Sequence, residues 1–316
     1  MMMQQSTQKI NASLVQAQRR PRYSSQQRLE ILWAYLFLAP SLLGLLLFTI
    51  GPIVATFGLT FFSWDLLTPP RAVGFANFER LITDQRMFTS YRVTTIYVVG
   101  QVVLSSVAGL LLALAVNRNL SAPLRYFLRS AFFFPVITSI ASVAVIWGYL
   151  YNTDRGIINY FLNIVGGPQI PWLSSSAWAL WSIILMIVWK TMGFDFILFL
   201  AGLQNIPRQL YEAAVIDGAN GRQQFRHITL PLLTPTLFFV VMIGLIGSFQ
   251  VFDAPYIMTD GGPGDATRMI AMHIYENGFR FLRMGYASAI AMLLFAIILL
   301  ITIVQMVLSK RWVFYQ

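Results

Sequence analysis

The sequence predicts an all-α integral membrane protein with six transmembrane helices and both termini in the cytoplasm. Three observations carry that expectation. Hydrophobic residues fill 57% of the 316 positions against 11% for charged ones, and the mean hydropathy of +0.65 lies far above that of soluble domains. The apolar residues gather in six runs, each long enough to cross a hydrocarbon layer of ~30 Å as a helix. Ten-residue stretches of alternating hydrophobicity, the mark of membrane strands, are absent, and a backbone in lipid has to satisfy its own hydrogen bonds.

Taken in order, residues 1–30 are polar, rich in Gln, Ser and Arg, and carry Lys9, Arg19, Arg20, Arg22 and Arg28; they read as a mobile cytoplasmic tail. Arg19-Arg20 has the look of a twin-arginine signal, but no small-residue cleavage site closes the run that follows. The membrane domain is expected over 31–309, with a short cytoplasmic tail at 310–316. Its first run, 31–63, is long enough for one tilted or kinked helix and too short for two; Pro40 and Gly51-Pro52 are the expected kink points. The other runs are 92–116, 131–151, 177–202, 235–256 and 285–308, and the loop 203–234 separates the fourth from the fifth. Trp33, Trp64, Trp147, Tyr149, Tyr151, Trp172, Trp178 and Trp312 lie near run ends, where aromatic rings anchor at the membrane interface.

Loop charge sets the orientation. The N-terminal tail, the 117–130 loop (Arg118, Arg125, Arg129), the 203–234 loop (Arg208, Arg222, Arg226) and the C-terminus (Lys310, Arg311) face only Glu30, Glu212 and Asp217 as acids. The alternate loops hold Arg71, Arg80, Arg86, Arg92, Arg155, Arg268, Arg280 and Arg283, nearly balanced by acids. The basic set belongs in the cytoplasm, and both termini with it.

Composition also excludes functions. With no cysteine there is no disulfide scaffold, zinc-thiolate site or cysteine nucleophile. His227 and His273 are too far apart in sequence to suggest a metal site, and no His or carboxylate cluster suggests an enzyme. The formal net charge of +10 is spread over loops beside apolar runs and is not expected to bind nucleic acid. A phosphate-binding loop needs a lysine after glycine, but Lys9, Lys190 and Lys310 follow Gln8, Trp189 and Ser309. The chain is not expected to hydrolyse ATP.

The 203–234 loop is the most informative stretch. Pro207, with Asn205 nearby as a cap, starts a short helix in which Arg208 and Glu212 can pair at i, i+4. Gly218 is placed to end it with positive φ, and Ala213 and Ala214 leave a shallow surface on which another protein can close. After Gly218-Ala219-Asn220-Gly221 a second segment, Arg222 to Ile228, is expected before Pro231 and Pro235 break the helix.

The run from Glu212-Ala213-Ala214 through Asp217, Gly218 and Arg222 to Ile228-Thr229-Leu230-Pro231 resembles, without gap, the EAA loop of ATP-binding cassette importer permeases. A second stretch, Gly247-Ser248-Phe249-Gln250-Val251-Phe252-Asp253, then Thr259-Asp260-Gly261-Gly262-Pro263-Gly264, Thr267, Tyr275, Phe279 and Gly285-Tyr286-Ala287-Ser288-Ala289, resembles the carbohydrate branch of that family, the maltose, multiple-sugar and glycerol-3-phosphate group. Gly74-Phe75-Ala76-Asn77-Phe78 is similar to the same branch's external segment. The resemblance covers most of residues 30–310. It implies an importer permease fold whose loop seats two coupling helices in a separate ATPase, with Glu212 and Gly218 most tied to coupling. It also implies a second homologous permease, two copies of the ATP-binding subunit carrying ATP and Mg, an extracytoplasmic sugar-binding protein, and the inner membrane of a prokaryote as location. No cofactor is expected on this chain.

Polar side chains inside the spans mark an expected substrate pathway, since their burial in lipid is costly. Lys190 and Asp195 lie about 140° apart around one helix and are not expected to pair. Gln250 and Asp253 are expected on a shared face beside Phe249, Phe252 and Tyr256, giving polar partners and flat rings for a sugar. Against this, Asp253 at the interface or Lys190 paired to another helix would be structural. A glycerol-phosphate cargo would call for arginines near the pathway, and the spans hold only Lys190; an ion-coupled secondary transporter would call for an inverted repeat, and none is visible.

Overall fold

The computed structural model describes residues 24–118 and 120–314. They divide into two units between Ala55 and Thr56. Helix α1, Ser25–Leu45, opens on a capping box: Gln27 N–H donates to Ser24 Oγ at 3.2 Å, and Ser24 N–H donates back to Gln27 Oε1 at 2.9 Å. It therefore starts six residues before the expected boundary at residue 31, while residues 1–23, most of the expected tail, lie outside the described residues. Pro40 is carried inside α1. A wide π turn, Leu46–Ile50, precedes Gly51-Pro52 and leads into α2, Gly51–Leu59; Pro52 has no N–H to give an ordinary helical turn there. None of the apolar residues from Leu46 to Ile50 is buried, and Phe48 is 82% exposed.

In the second unit a two-residue ribbon pairs Phe62–Ser63 (β1) with Arg71–Ala72 (β2), followed by α3, Ala76–Thr83. The central pair is α4, Gln85–Val116, and α8, Ala179–Gln204. Tyr97, Val98 and Val102 of α4 are buried in one core with Ile183, Ile184, Met186 and Ile187 of α8. A second core gathers Ala113, Phe196, Phe199, Leu203 and Leu233 at the opposite end of the pair. Gly109 lets the two helices close: a Cβ there would stand 2.9 Å from the Phe196 nitrogen.

Between them α5, Ala122–Ile137, and α6, Ile140–Leu150, meet at 99°. The expected continuous span 131–151 is thus broken at Thr138, whose extended ψ of 152° follows Pro135. Gly193 of α8 sits against α5 so closely that a Cβ would lie 1.9 Å from the Phe132 carbonyl oxygen. Helix α7, Ile157–Ile164, is a short amphipathic piece.

After α8 come α9, Arg208–Ile216, α10, Gly221–Gln224, and a π turn, Phe225–Thr229, that runs on to Leu232. Helix α11, Thr234–Phe249, then departs at 60°. The chain finishes with α12, Asp253–Thr259, α13, Ile270–Tyr275, a π turn, Glu276–Arg280, and α14, Met284–Trp312. The expected span 235–256 ends early, at Phe249; Gln250 closes α11 and Asp253 opens α12, so the two do not share one helix face. Four helical stretches among the described residues are long and apolar enough to cross a membrane, Ser25–Leu59, Gln85–Val116, Ala179–Gln204 and Met284–Trp312, or up to six if each bent pair is one span.

Not all of the expected anchor rings are at an interface. Tyr151 is buried and stacks among Trp147, Trp172, Trp189 and Trp178 with centroids 5.2–5.7 Å apart, a packed aromatic seam linking α6 to the start of α8.

Candidate functional sites

A cavity of about 310 Å³ opens between α4, α8 and α11. Its polar wall comes from two i, i+4 pairs facing each other: Gln101 and Ser105 on α4, Thr191 and Asp195 on α8. Gln101 Nε2 donates to Thr191 Oγ1 at 3.2 Å, and Thr191 Oγ1 in turn donates to the Ile187 carbonyl at 2.8 Å. Ser105 Oγ donates to Asp195 Oδ2, and Ser248 Oγ reaches both Gln101 Oε1 and the Gly244 carbonyl. Asp195 Oδ1 has no hydrogen-bond partner among the described residues. Ile187, Ile243 and Val251 complete apolar walls.

Of the expected pathway residues, only Asp195 lines this cavity. Lys190 turns the other way, its Nζ donating to the carbonyls of Thr138 at 3.0 Å and of Pro135 and Val136 at 3.3 Å, at the α5–α6 break. Asp195 and Lys190 do not pair, as the helix angle required. Phe249 is 5% exposed and belongs to the core. Phe252 and Tyr256 stack at 5.0 Å, Tyr275 meets both edge-on, and Arg280 Nη2 donates to Tyr256 Oη at 3.0 Å. Gln250 and Asp253 are exposed, with no side-chain hydrogen bond among the described residues. The residues missed from sequence are Gln101, Ser105, Thr191 and Ser248. Part of their signal lay in the sequence as polar residues four apart within an apolar run, Gln101 with Ser105 and Thr191 with Asp195, whereas Ser248 has no such partner.

The 203–234 loop stands apart from this cavity. Asn205 closes α8 rather than starting α9, and Pro207 occupies the cap of α9 without a side-chain hydrogen bond. No ion pair joins Arg208 to Glu212 among the described residues; both are solvent-exposed, where such a pair contributes only about 0.3–0.5 kcal/mol. Gly218 has φ +78°, and its N–H donates to Val215 O at 3.0 Å, ending the helix as its position required. Asn220 caps α10 through a capping box with Gln223. The second segment continues through Pro231 and breaks at Leu233, because a proline within the first turn of a helical piece loses no bond it would otherwise make. Tyr211 Oη and Thr229 Oγ1, 2.9 Å apart, tie the two segments together, and Ile228 packs into the second core. Glu212, Ala213, Asp217, Arg222 and Leu230 are left exposed with Val215 and with Ile216 at 85%; Ala214 and Pro231 are half-buried.

The motif residues outside the spans have packing roles. Gly74 takes φ +58°, and Asn77 Nδ2 donates to the carbonyls of Thr60 and Phe62 at 2.9 and 3.0 Å, pinning the β ribbon. Tyr286 Oη donates to Asp84 Oδ2 at 2.6 Å, and His273 Nε2 lies 3.3 Å from the same oxygen. Burial opposes ionisation of Asp84, yet the Tyr286 hydroxyl, the Met87 and Arg86 N–H groups and the nearby imidazole hold it below the usual carboxylate range. Burial likewise lowers His273, outweighing the pull of Asp84, so at neutral pH the pair is a neutral ring on an ionised carboxylate.

The family model described as binding-protein-dependent transport system inner membrane component matches residues 105–313. YesP of Bacillus subtilis, a probable ABC transporter permease protein, is 38% identical, covering 92% of this chain and 94% of its own. SmoG of Agrobacterium fabrum, the permease of a sulfoquinovosyl glycerol transport system, is 35% identical over 87% of this chain and 89% of its own. Among solved structures, the bacterial alginate ABC transporter in complex with an alginate pentasaccharide-bound periplasmic protein superposes with a TM-score of 0.78 at 25% identity, covering 88% of this chain and 94% of the other.

Proposed function

The chain belongs to the binding-protein-dependent transport system inner membrane component family and is an ABC transporter permease, and from that premise we propose that it imports carbohydrate as one half of the translocation pathway of a four-subunit core. The observation that carries the cargo class is the hydroxyl- and amide-lined cavity of Gln101, Ser105, Thr191, Asp195 and Ser248. Alternating donors and acceptors beside apolar walls suit a ligand rich in hydroxyls. The cargo of the sulfoquinovosyl glycerol and alginate systems supports the same class. In this reading each bent pair is a single broken span, giving six, with both termini and the 203–234 loop in the cytoplasm of a prokaryote.

The remaining assignments follow. The exposed face of α9 seats in a separate ATPase, Gly218 sets the turn to the second coupling segment, and closure of the nucleotide-bound subunits moves α8 and α11, the helices that the loop joins. ATP and Mg are held by that partner, present in two copies. A second homologous permease completes the pathway, and an extracytoplasmic sugar-binding protein delivers the cargo. Uptake of labelled sugars into vesicles containing all four components tests this. Carbohydrate-stimulated ATP hydrolysis that requires the binding protein is the expected result; vanadate-sensitive hydrolysis by this polypeptide alone would sink the division of labour.

A further inference from the structure

Of the side chains that line the cavity, Asp195 alone carries a carboxylate and none carries a cation. The lysine of α8 is spent elsewhere: Lys190 Nζ is within 3.0–3.3 Å of three carbonyls at the α5–α6 break. We propose that Asp195 makes this cavity a charge filter that admits neutral or amino-substituted sugars and rejects those bearing uronate, sulfonate or phosphate. The inference rests on the carbohydrate reading above and narrows it.

First, the free Oδ1 of Asp195 and the Thr191 hydroxyl face a ligand that can donate; a neighbouring pair of sugar hydroxyls or an ammonium group satisfies them, and an anionic group does not. Second, the other polar groups of the lining, Tyr97, Gln101, Ser105, Ser106, Thr191 and Ser248, are all neutral, so a ligand anion would be desolvated beside the Asp195 carboxylate with no cation to compensate it. An unpaired charge forced into such a site discriminates more strongly than a missing favourable contact. At about 310 Å³ the cavity is at the small end of ligand sites, so it holds one end of a ligand and tests the charge of that unit. The filter separates this chain from what the alginate and sulfoquinovosyl glycerol systems carry, since both of those cargoes are acidic.

The test uses the assembled complex, this permease with its partner permease and ATPase subunits, in lipid nanodiscs without the binding protein. Saturation-transfer NMR is recorded with maltotriose, xylotriose, arabinotriose and chitosan trimer as neutral or amino probes and trigalacturonate as the acidic one. At least one neutral or amino probe is expected to bind about tenfold or more tightly than trigalacturonate, and Asp195→Asn to shrink that ratio several-fold. Equal or tighter binding of trigalacturonate to the parental complex overturns the filter, and so does an unchanged ratio in an Asp195→Asn complex that assembles normally. If that variant fails to assemble, the parental ratio alone decides. Silence from every probe, neutral and acidic, overturns the carbohydrate reading and the filter with it.

Discussion

A Cβ placed on Gly109 would stand 2.7 Å from the Cβ of Asp195, so α4 passes tightly against α8 at the one acid of the cavity. The same turn of α4 that supplies Ser105 as a donor to Asp195 therefore also fixes how far apart the two helices stand. Gly109→Val should push α8 away and misplace Asp195, with an overpacking cost of about 1–3 kcal/mol. Expected is a lower unfolding temperature in detergent together with at least a tenfold drop in uptake. Parental uptake and stability would show that the approach is not tight in the membrane.

Gly218→Val acts through the backbone alone. A Cβ at that position meets nothing within 4 Å, but φ is +78°, which costs a β-branched residue about 1–2 kcal/mol. The helix end should unwind and turn Glu212 away from its partner. Membrane abundance should stay within twofold of parental while uptake and ATPase co-purification collapse. A variant that inserts, retains the ATPase and transports normally removes the docking role assigned to Glu212, Gly218 and their neighbours.

Lys190→Met leaves the carbonyls of Pro135, Val136 and Thr138 without their charged donor. Hydrogen bonds to a charged group contribute about 1.5–3 kcal/mol each way they are removed. Stability should fall by an amount in that range and the α5–α6 bend should relax, readable as a changed spin-label distance between positions 127 and 146. Cargo affinity should change less than twofold, because Lys190 does not line the cavity; a tenfold loss of affinity would restore it to the pathway.

Acid should loosen the segment around Asp84. Both groups there titrate below their ordinary values in the folded chain, so the unfolded state binds more protons as pH falls. The His273 contribution is complete above the usual imidazole range and declines below it; the Asp84 contribution is complete above the usual carboxylate range and is lost as pH drops through its lowered value. Amide exchange in residues 84–87 and 270–280, taken relative to the intrinsic rate at each pH, should therefore quicken in two stages, below about pH 6.5 as the imidazole protonates and again below about pH 4 as the carboxylate does. Tyr286→Phe removes the hydroxyl donor to Asp84 and should move that acceleration to higher pH. Exchange that is flat with pH, in the parental chain and the variant alike, contradicts this.

What the sequence determined by itself was whatever depends on local order. Apolar length located the four helical stretches long enough to cross a membrane, and Gly218 was legible as a positive-φ helix end because only glycine takes that backbone without cost. The spacing from Glu212 to Pro231 carried the family. Tertiary structure decided the rest. Pro135 marks a weak point in the run 131–151, but the 99° angle at Thr138 belongs to the fold, where Lys190, 52 residues further along the chain, donates to the carbonyls at the break. The expected face shared by Gln250 and Asp253 assumed a continuous helix, and α11 ends between them. Gln101, Ser105, Thr191 and Ser248 looked like scattered polar residues in separate apolar runs. They became a site only when Gly109 let two helices touch, because a hydrogen-bonded cluster is a property of distances across helices and not of spacing along one.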